Sequence, residues 1–526
     1  MTPSPSPLEP LLDWNDIQGS ILGGFNKDHQ TLLGVTFHGD RKAAKNFISK
    51  VAPRITDLEK VLDFKAERKA RLARSNAAED AMVATWTAIT FSFGGLSILT
   101  SDAALFKDTE FRQGLAKSSS RLGDPAGSPS SWRIGQEGHV PDALLIVASD
   151  LDSDREEVVE ELINQIMNSG VSVEYREDGH DLSFYSDADH KYPSGREHFG
   201  FKDGISQPGI RGFLPSGSYL TPRVPITWDD GSGPEYADIG KPLVCVGQFL
   251  LGYAQQIDTF PRQAGPIQSL GNESNAIAPA WAKNGSFLVF RRLSQDVQGF
   301  RNFAASQADQ AKQPLLGADR LAALLVGRWP SGAPVIRSPL VDTPPQADSS
   351  AANAFAFGTE NTNLSLPDDT DGKVCPVAAH IRKVNPRDQD TDQGAASATL
   401  MRRILRRGLP YGPPLPPGQT EAVRGDRGLL FLSYQSSIAQ QFEFLASQWM
   451  NSAQLPTNPS GYPEGLGFDM LVGQNPVDRE RFAYLRLPNR DVKLTTTVSN
   501  IKEWITATGG GYFFAPSLSA ICSLAS

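Results

Sequence analysis

The hydrophobic residues of the chain follow two patterns, short apolar runs and longer stretches with a helical period. Runs rich in β-branched and aromatic residues predict strands. Seven segments meet that criterion: TLLGVTFHG (31–39), TWTAITFSFGG (85–95), ALLIVASD (143–150), VSVEYRE (171–177), LVCVGQFLLGY (243–253), GSFLVFRRL (285–293) and GLLFLSYQSS (428–437). They are spread over the whole chain, so strands contribute to its first and second halves alike.

Helical periodicity is clearest in DREEVVEELINQIMNSG, residues 154–170. Ser153 or Asp154 is predicted to cap this helix, and Gly170 to end it. Four other segments also predict helices: 41–74, 297–309, 318–329 and 438–452. The apolar residues of 154–170 recur at a spacing that places them on one face: Val158, Val159, Leu162, Ile163, Ile166 and Met167.

The order of these elements predicts an α+β fold with helices packed on a mainly antiparallel sheet. Strand-then-helix pairs at 86–117 and 284–311 suggest an internal duplication. Pro and Ser dominate the first residues, which predicts a disordered arm. Loop-rich composition marks a linker and a long insertion. The predicted divisions are an arm (1–14), a first module (15–213), a linker (214–240) and a second module (241–526) with a loop insertion near 330–375.

Composition excludes several classes of protein. The 526-residue chain carries a net charge of −9, which repels phosphate and argues against nucleic-acid binding. No window holds the roughly 18 apolar residues that a membrane span requires. Residues 1–25 lack the basic start and apolar centre of a signal peptide, so a cytoplasmic protein, a leaderless exported protein and a mature chain all stay possible. Cys245, Cys375 and Cys522 form no disulfide framework.

Common hydrolase and nucleotide-binding motifs are absent. No two of the seven histidines have the spacing of an HExxH zinc site, and neither a phosphate-binding GxxxxGK[ST] loop nor a GxSxG nucleophile motif occurs. Five histidines (His29, His38, His139, His180 and His190) are expected to be surface or loop residues. The acid-rich segment 366–375 is expected to be a solvated loop, with a cation such as manganese as the alternative.

Two other segments carry unusual residues. In HFGFKDGISQPGI (198–210), Asp203-Gly204 predicts a tight turn, or a turn that presents the carboxylate to a ligand. In LMRRILRRGLPYG (400–412), two arginine pairs interrupt an apolar stretch. Buried arginines require anionic or polar partners, so the segment is either a solvated basic face or part of a pocket for an anionic ligand. His380 is the single histidine of the C-terminal half.

Four blocks in fixed order, FGFKDGISQP, HIRKVNPR, ILRRGLPYG and RGLLFLSYQSSIAQQFEFLASQWMN, together with DIQGSILGGFNKDH near the start, resemble the dye-decolorizing peroxidase family of the fungal type. The resemblance covers the chain from Asp16 onward. It implies two ferredoxin-like α+β modules in one chain and one haem b per chain. It also implies hydrogen peroxide and bulky aromatic molecules as substrates, a monomer or dimer, and a secreted enzyme.

The resemblance assigns roles residue by residue. Asp203 matches the distal acid-base carboxylate, and Arg406 matches the distal arginine, although a shift of one residue would exchange it with Arg407. His380 matches the axial ligand of the haem iron, and Asp469 the carboxylate that accepts its N–H. The other positions implied are a propionate partner (Arg382), apolar residues beside the peroxide (Leu429 and Phe431), a residue near a propionate (His198) and electron relays (a surface tryptophan, Trp449, and Tyr411). The alternative for Trp449 is a core position, because it lies at helical spacing from Phe442 and Leu445.

The sequence therefore predicts a haem peroxidase that reduces hydrogen peroxide and oxidises dyes, phenolics and other large aromatic molecules by one-electron steps. The alternative is a haem-binding or haem-handling protein of the same fold with little turnover. Asp203 and Arg406 together favour the peroxidase, because haem storage requires neither a proton acceptor nor a fixed charge beside peroxide.

Overall fold

The computed structural model shows how the predicted elements are arranged. It describes residues 10–74, 82–125, 128–213, 236–238, 241–256, 277–313, 315–347, 351–416, 425–457, 462–474, 480–487, 490–497 and 503–526. In this part of the chain, no helix is long and apolar enough to cross a membrane.

Fourteen strands and ten α-helices can be traced in the described residues. The strands are β1 (His29–Thr36), β2 (Thr85–Phe91), β3 (Ala143–Ser149), β4 (Ser172–His180), β5 (Gly209–Ile210), β6 (Tyr236–Asp238), β7 (Lys241–Val244), β8 (Ser286–Gln295), β9 (Leu405–Arg406), β10 (Leu409–Tyr411), β11 (Gly428–Gln435), β12 (Glu480–Leu487), β13 (Arg490–Thr497) and β14 (Ile505–Ala515). The helices are α1 (Arg41–Val51), α2 (Leu58–Arg74), α3 (Phe93–Leu99), α4 (Thr109–Gln113), α5 (Leu115–Ser118), α6 (Asp152–Met167), α7 (Val297–Ala311), α8 (Ala318–Val326), α9 (His380–Val384) and α10 (Leu518–Ala525).

Nine strands form one sheet with two similar halves. The first half has the order β4-β1-β3-β2, and the second has the order β14-β8-β11-β9. All pairings in this sheet are antiparallel. In each half the last strand pairs with the first, which is the ferredoxin-like order. The predicted α+β fold with two such modules is confirmed.

Strand β10 closes the sheet into a barrel. The two halves meet on one side where Phe91 of β2 pairs with Phe514 of β14. On the other side β10 pairs with β11 and, through Tyr411 and Gly179, with β4. A closed sheet leaves no free edge between its first and last strands. The segment 405–411 therefore has a fixed position between the two modules.

Apolar residues pack on both faces of the sheet. Helices α1 and α6 cover one face of the first half, where Leu33, Val35 and Val147 are fully buried with Val159 and Leu162 of α6. The opposite face packs against the N-terminal segment through Ile17, Ile21 and other residues. Alternation along each strand places successive side chains on opposite faces, which is why both faces are apolar.

Three local predictions were wrong. The stretch 41–74 is two helices, because a turn that includes Pro53 separates them at residues 52–57. The segment 243–253 is a strand only through Val244; a side chain at Gly247 would lie 2.2 Å from the carbonyl oxygen of Ala254, so the chain folds back tightly there. Helix α6 begins at Asp152, and Leu151 precedes it without a side-chain cap, so neither Ser153 nor Asp154 caps it.

Segment 438–452 is helical with wide turns. Ile438–Glu443 and Leu445–Met450 have π-helical geometry, which often marks functional sites. The predicted insertion 330–375 contains 3₁₀ turns at Pro344–Ala347 and Thr359–Leu364. Of the predicted linker 214–240, only Tyr236–Asp238 is described, and residues 1–9 of the predicted arm also lie outside the described residues. The domain boundaries stay predictions.

Helix α6 offers a test of this packing. Leu162 is fully buried beneath the helix, whereas Met167 on the same helix is 63% exposed. We expect Leu162→Ala to lower the free energy of unfolding by about 2–5 kcal/mol, because it removes buried methyl groups and leaves a cavity. Met167→Ala, the matched control, should change it by no more than about 0.5 kcal/mol. Urea unfolding of both variants measures the difference; equal effects would contradict the packing.

Candidate active site

An ion pair between Asp203 and Arg406 forms the centre of the site. Nη1 of Arg406 donates to Oδ1 of Asp203 at 2.6 Å. Burial alone would raise the pKa of Asp203, but the Arg406 guanidinium, the Gly204 N–H and His380 together outweigh that effect, so the pKa lies below its ordinary value. The carboxylate is therefore ionised through the neutral range and into moderately acidic solution.

Asp203 is held by a network of backbone hydrogen bonds. Its N–H donates to the carbonyl of Gly195 at 3.0 Å, and its Oδ1 accepts from the N–H of Gly204 at 2.6 Å. Gly200 and Gly204 have φ of +101° and +72°, values that favour glycine. The Asp-Gly turn expected from the sequence is thus the device that directs the carboxylate.

Gln207 connects the Asp203 loop to the strand that carries Arg406. Its Nε2 donates to the Arg406 carbonyl at 3.1 Å, and its Oε1 accepts from the Arg406 N–H at 3.3 Å. Nη2 of Arg406 also donates to the carbonyl of Ser206 at 3.4 Å. The side chain of Arg406 and its backbone are therefore both fixed by residues 203–207.

Glu197 supports the same loop from within the protein. Its two carboxylate oxygens accept from the N–H groups of Phe199 and Phe201 at 2.9 and 2.8 Å, and Gln295 donates to it at 2.6 Å. Burial raises the pKa of Glu197 to about 7. The two phenylalanines pack into the apolar cluster that includes Ala378 and Met470, neighbours of the site on its opposite side.

The two adjacent arginines face opposite sides of the sheet. Arg406 pairs with Ser433 of β11, so both project from the same face. Arg407 donates instead to the carbonyls of Ser20, Ile21 and Leu22 at 3.2, 2.8 and 2.8 Å. Of the two arginines considered from the sequence, Arg406 is the one that contacts Asp203.

Leu429 and Phe431 lie on the Arg406 face of β11. Alternate residues of this strand are buried on the other face, whereas these two are only partly buried. Phe431 packs against Phe442 with ring centroids 5.8 Å apart. The two side chains are therefore positioned to line an apolar wall beside Arg406.

His380 is oriented by a buried carboxylate. Its Nδ1 lies 2.7 Å from Oδ2 of Asp469, which is fully buried. The other Asp469 oxygen accepts from the N–H groups of Leu471 and Val472 at 2.9 and 3.0 Å. Burial opposes ionisation of Asp469, but His380 and these N–H groups keep its pKa below the ordinary value. Nδ1 is thereby occupied, and Nε2 is the ring nitrogen left for a ligand.

His380 and the Asp203–Arg406 pair face a common space. His380 is among the groups that lower the pKa of Asp203, so the two side chains lie near each other. Asp203 is surrounded by protein, yet 34% of its side-chain surface is accessible, as are 30% of Arg406 and 26% of His380. Side chains that are deep but accessible line an internal cavity.

Arg382 does not have the propionate contact that was predicted. Its side chain is 1% exposed, and all five N–H groups are used within the protein. It donates to Gln389, to Asp369 and to the carbonyls of Cys375 and Thr370. Arg382 therefore holds the 369–375 loop, and this contact explains why Asp369 of the acid-rich segment is buried rather than solvated.

His198 retains an unused polar atom. Its Nε2 lies 2.9 Å from the Tyr411 carbonyl, whereas its buried Nδ1 has no hydrogen-bond partner among the described residues. Burial lowers the pKa of His198 to about 4, so the ring is neutral.

Tyr411 is buried beneath Arg292, whose guanidinium lies 4.0 Å from the ring centroid.

Trp449 is not at the surface, contrary to the prediction. The ring is fully buried in the π-helical segment and packs edge-on against Phe444 at 5.1 Å. Its Nε1 donates to Oδ1 of Asp392 at 2.9 Å, and Asp392 is exposed. Helical spacing places Trp449 inside, so only its indole N–H is connected to the surface.

Comparison with known proteins gives the same assignment over the whole chain. The family description "DyP dimeric alpha+beta barrel domain" matches residues 16–181, and "Dyp-type peroxidase, C-terminal" matches residues 275–457. Dye-decolorizing peroxidase msp1 of Mycetinis scorodonius is 31% identical over 97% of this chain and 87% of its own length. This chain belongs to the dye-decolorizing peroxidase family. It is thus a haem peroxidase, an oxidoreductase that acts on hydrogen peroxide.

Solved structures agree with this assignment. An ancestral D-type dye-decolorizing peroxidase has a TM-score of 0.75 and 30% identity, covering 98% of this chain and all of that chain. The fungal DyP-type peroxidase of Auricularia auricula-judae has a TM-score of 0.72 and 28% identity over the same shares. The described site also fits haem, because His380 has a free Nε2 and the neutral His198 has an unpaired Nδ1.

The sequence did not predict the part that two residues, Gln207 and Arg328, have in the site. Gln207 lies within the ISQPG turn, and its pairing with Arg406 across 199 residues leaves no local signal. Arg328 is buried near Arg387 and Arg406. Burial is the main cause that lowers its pKa to about 9, and the positive charges of these two arginines lower it further.

The dependence of the Asp203 pKa on Arg406 can be tested by measuring the reaction rate as a function of pH. In Arg406→Gln the effect of burial is no longer opposed by the guanidinium, so the pKa of Asp203 rises. We expect the acid limb of the pH profile for the peroxide reaction to move to higher pH, and the maximal rate to fall roughly 100-fold or more. Stopped-flow rates across pH measure both changes.

Arg407→Lys is the matched control for this experiment. It changes a neighbouring guanidinium that does not contact Asp203, so its acid limb should stay in place. An unmoved acid limb in Arg406→Gln would contradict the electrostatic coupling.

Proposed function

We propose that the chain binds one haem b through His380 and uses Asp203 as the distal acid-base group and Arg406 as the distal cation. The observation that carries this proposal is the Asp203–Arg406 pair facing a histidine whose Nδ1 is occupied by Asp469. Bound haem supplies a redox-active iron that transfers electrons from the organic substrate to hydrogen peroxide. His380 would hold it, and the neutral His198 would offer its unpaired Nδ1 to it.

Asp203 is suited to moving a proton between the two oxygens of peroxide. One oxygen has to lose a proton as it binds, and the other has to gain one as it leaves as water. A carboxylate with a lowered pKa stays ionised in acid, where a histidine base would be protonated. We therefore propose an enzyme that works in the acidic range.

Arg406 supplies a fixed positive charge next to that carboxylate. Its position is set by Gln207 and Ser206 before any substrate arrives. A charge that needs no rearrangement stabilises the negative charge that develops as the O–O bond breaks. On the opposite side, Asp469 accepts the hydrogen bond of the His380 N–H. This contact fixes the orientation of the ring and makes the imidazole a more basic ligand.

We propose anthraquinone and azo dyes, phenolics and other bulky aromatic molecules as electron donors, oxidised by one-electron steps. Such molecules are too large for a buried cavity, so a route through side chains is needed. Trp449 and Tyr411 are oxidisable rings, and Trp449 reaches the surface through its hydrogen bond to the exposed Asp392. By analogy with the fungal relatives, we also propose a secreted protein that is a monomer or dimer.

The first test is the absorption spectrum of haem-loaded protein before and after one equivalent of hydrogen peroxide. The wild-type ferric band should change within the mixing time of a stopped-flow instrument. Asp203→Asn keeps the size of the side chain but cannot take the proton, so we expect a rate roughly 100- to 10,000-fold lower. Asp187→Asn, an exposed loop aspartate, is the control and should match the wild type.

Two results would overturn parts of this proposal. Haem binding without a peroxide-driven change would support a haem-handling protein of the same fold. A haem band in His380→Ala as strong as in the wild type would exclude His380 as the axial ligand. His190→Ala, which alters a partly exposed histidine, controls for loss of any histidine.

The relay is tested by comparing donors of different size. Trp449→Phe should lower turnover of an anthraquinone dye several-fold, while turnover of a small phenol that enters the cavity stays unchanged. Trp132→Phe replaces another fully buried tryptophan and serves as the control. An equal loss for both donors in Trp449→Phe would indicate a structural role instead.

A further inference from the structure

His29 and His180 form a buried pair, although both were expected to lie at the surface or in loops. His29 begins β1 and His180 ends β4, and the two are direct partners across the sheet. Partners in an antiparallel pair project from the same face. Their Nδ1 atoms lie 2.9 Å apart, and both residues are 8% exposed. The prediction of surface or loop positions was therefore wrong for these two histidines.

Asp152 adds a carboxylate to the pair. It is the first residue of α6, which packs on the face of the sheet from which both imidazoles project. Its Oδ1 lies 3.7 Å from Nδ1 of His29 and 3.8 Å from Nδ1 of His180. Asp152 is also 39% exposed, so the group of three can be reached from solvent.

The spacing of the three atoms matches the size of a metal ion. Atoms separated by 2.9, 3.7 and 3.8 Å lie on a circle with a radius of about 2.0 Å, close to the usual zinc distances to imidazole nitrogen and carboxylate oxygen. One ion could contact all three atoms without rearrangement of the backbone. The open side facing solvent leaves room for water to complete the coordination.

The charges around the three side chains also suit a cation. Asp152, Asp28 and Asp181 all act on His29 as negative charges, against the single positive charge of Arg155. The local field is therefore negative.

Neighbouring side chains hold the three ligands in place. Arg155 donates to Oδ1 of Asp152 from Nε at 2.9 Å, and its Nη2 lies 2.7 Å from the same oxygen, so the position of that carboxylate oxygen is fixed. Phe184 stacks on the His180 ring at 4.4 Å and meets the His29 ring edge-on at 5.1 Å. Outer contacts of this kind orient metal ligands in proteins.

We propose that His29, Asp152 and His180 bind a divalent transition-metal ion of the zinc class. Two imidazole nitrogens and one carboxylate oxygen favour Zn²⁺ over Mn²⁺, Mg²⁺ or Ca²⁺, which prefer oxygen-rich sites. The site shares no residue with the haem pocket. It ties together the start of β1, the end of β4 and the start of α6, so the bound ion is expected to stabilise the first module.

Calorimetric titration of the untagged, chelator-treated holoenzyme with ZnCl₂ tests the site. We expect one saturable site per chain and a melting temperature that rises with Zn²⁺, since an ion that binds only the folded state stabilises it. MnCl₂ should bind far more weakly. The double variant His29→Gln/His180→Gln should weaken Zn²⁺ binding by more than the roughly 10- to 100-fold caused by losing an outer-shell partner.

Two further variants keep the test independent of folding. Asp152→Asn changes a half-exposed side chain and should also weaken Zn²⁺ binding, with an unchanged haem spectrum and circular dichroism. His190→Gln removes a partly exposed histidine paired with Asp187 at 3.5 Å and should leave binding intact. The proposal is overturned if no such site is found in the wild type, or if Zn²⁺ binds Asp152→Asn and the double variant as tightly as the wild type.

Discussion

A guanidinium inside a protein is stable only beside acceptors that replace its water, and Arg406 obtains one from a loop 203 residues earlier in the chain. Removing either partner would leave an unpaired charge within the cavity. The Gln207 contacts and the carbonyl of Ser206 add to the same junction. The two halves of the site are thus assembled by one charged contact together with the hydrogen bonds that surround it.

The opposite side of the cavity uses a different arrangement. Asp469 is fully buried and accepts from one imidazole and two backbone N–H groups, which stabilise its charge. Buried charges that are fully hydrogen-bonded are also rigid. The two carboxylates of the site therefore have separate tasks, because Asp203 keeps an accessible surface whereas Asp469 has none.

Periodicity in the sequence was enough to predict the α+β class, α6, and strands β3, β8 and β11. The resemblance supplied the residues of the site, and the Asp203–Arg406 and His380–Asp469 contacts agree with it. What could not be predicted depends on distant partners. The N–H groups of Arg382 are bound by Gln389 and the 369–375 loop, and His29 meets His180 only because β1 pairs with β4. Spacing along the chain carries no information about such contacts.

The opposite directions of Arg406 and Arg407 restrict how this segment can evolve. Deletion of a single residue before Arg406 would move Arg407 into the position of Arg406 and turn its guanidinium toward Asp203, with loss of the contacts that Arg407 makes with Ser20 and Ile21. Because both are arginines, the pocket would still receive a cation after such a slip. The doubled arginine thus gives the strand a tolerance to register error that a single arginine would lack.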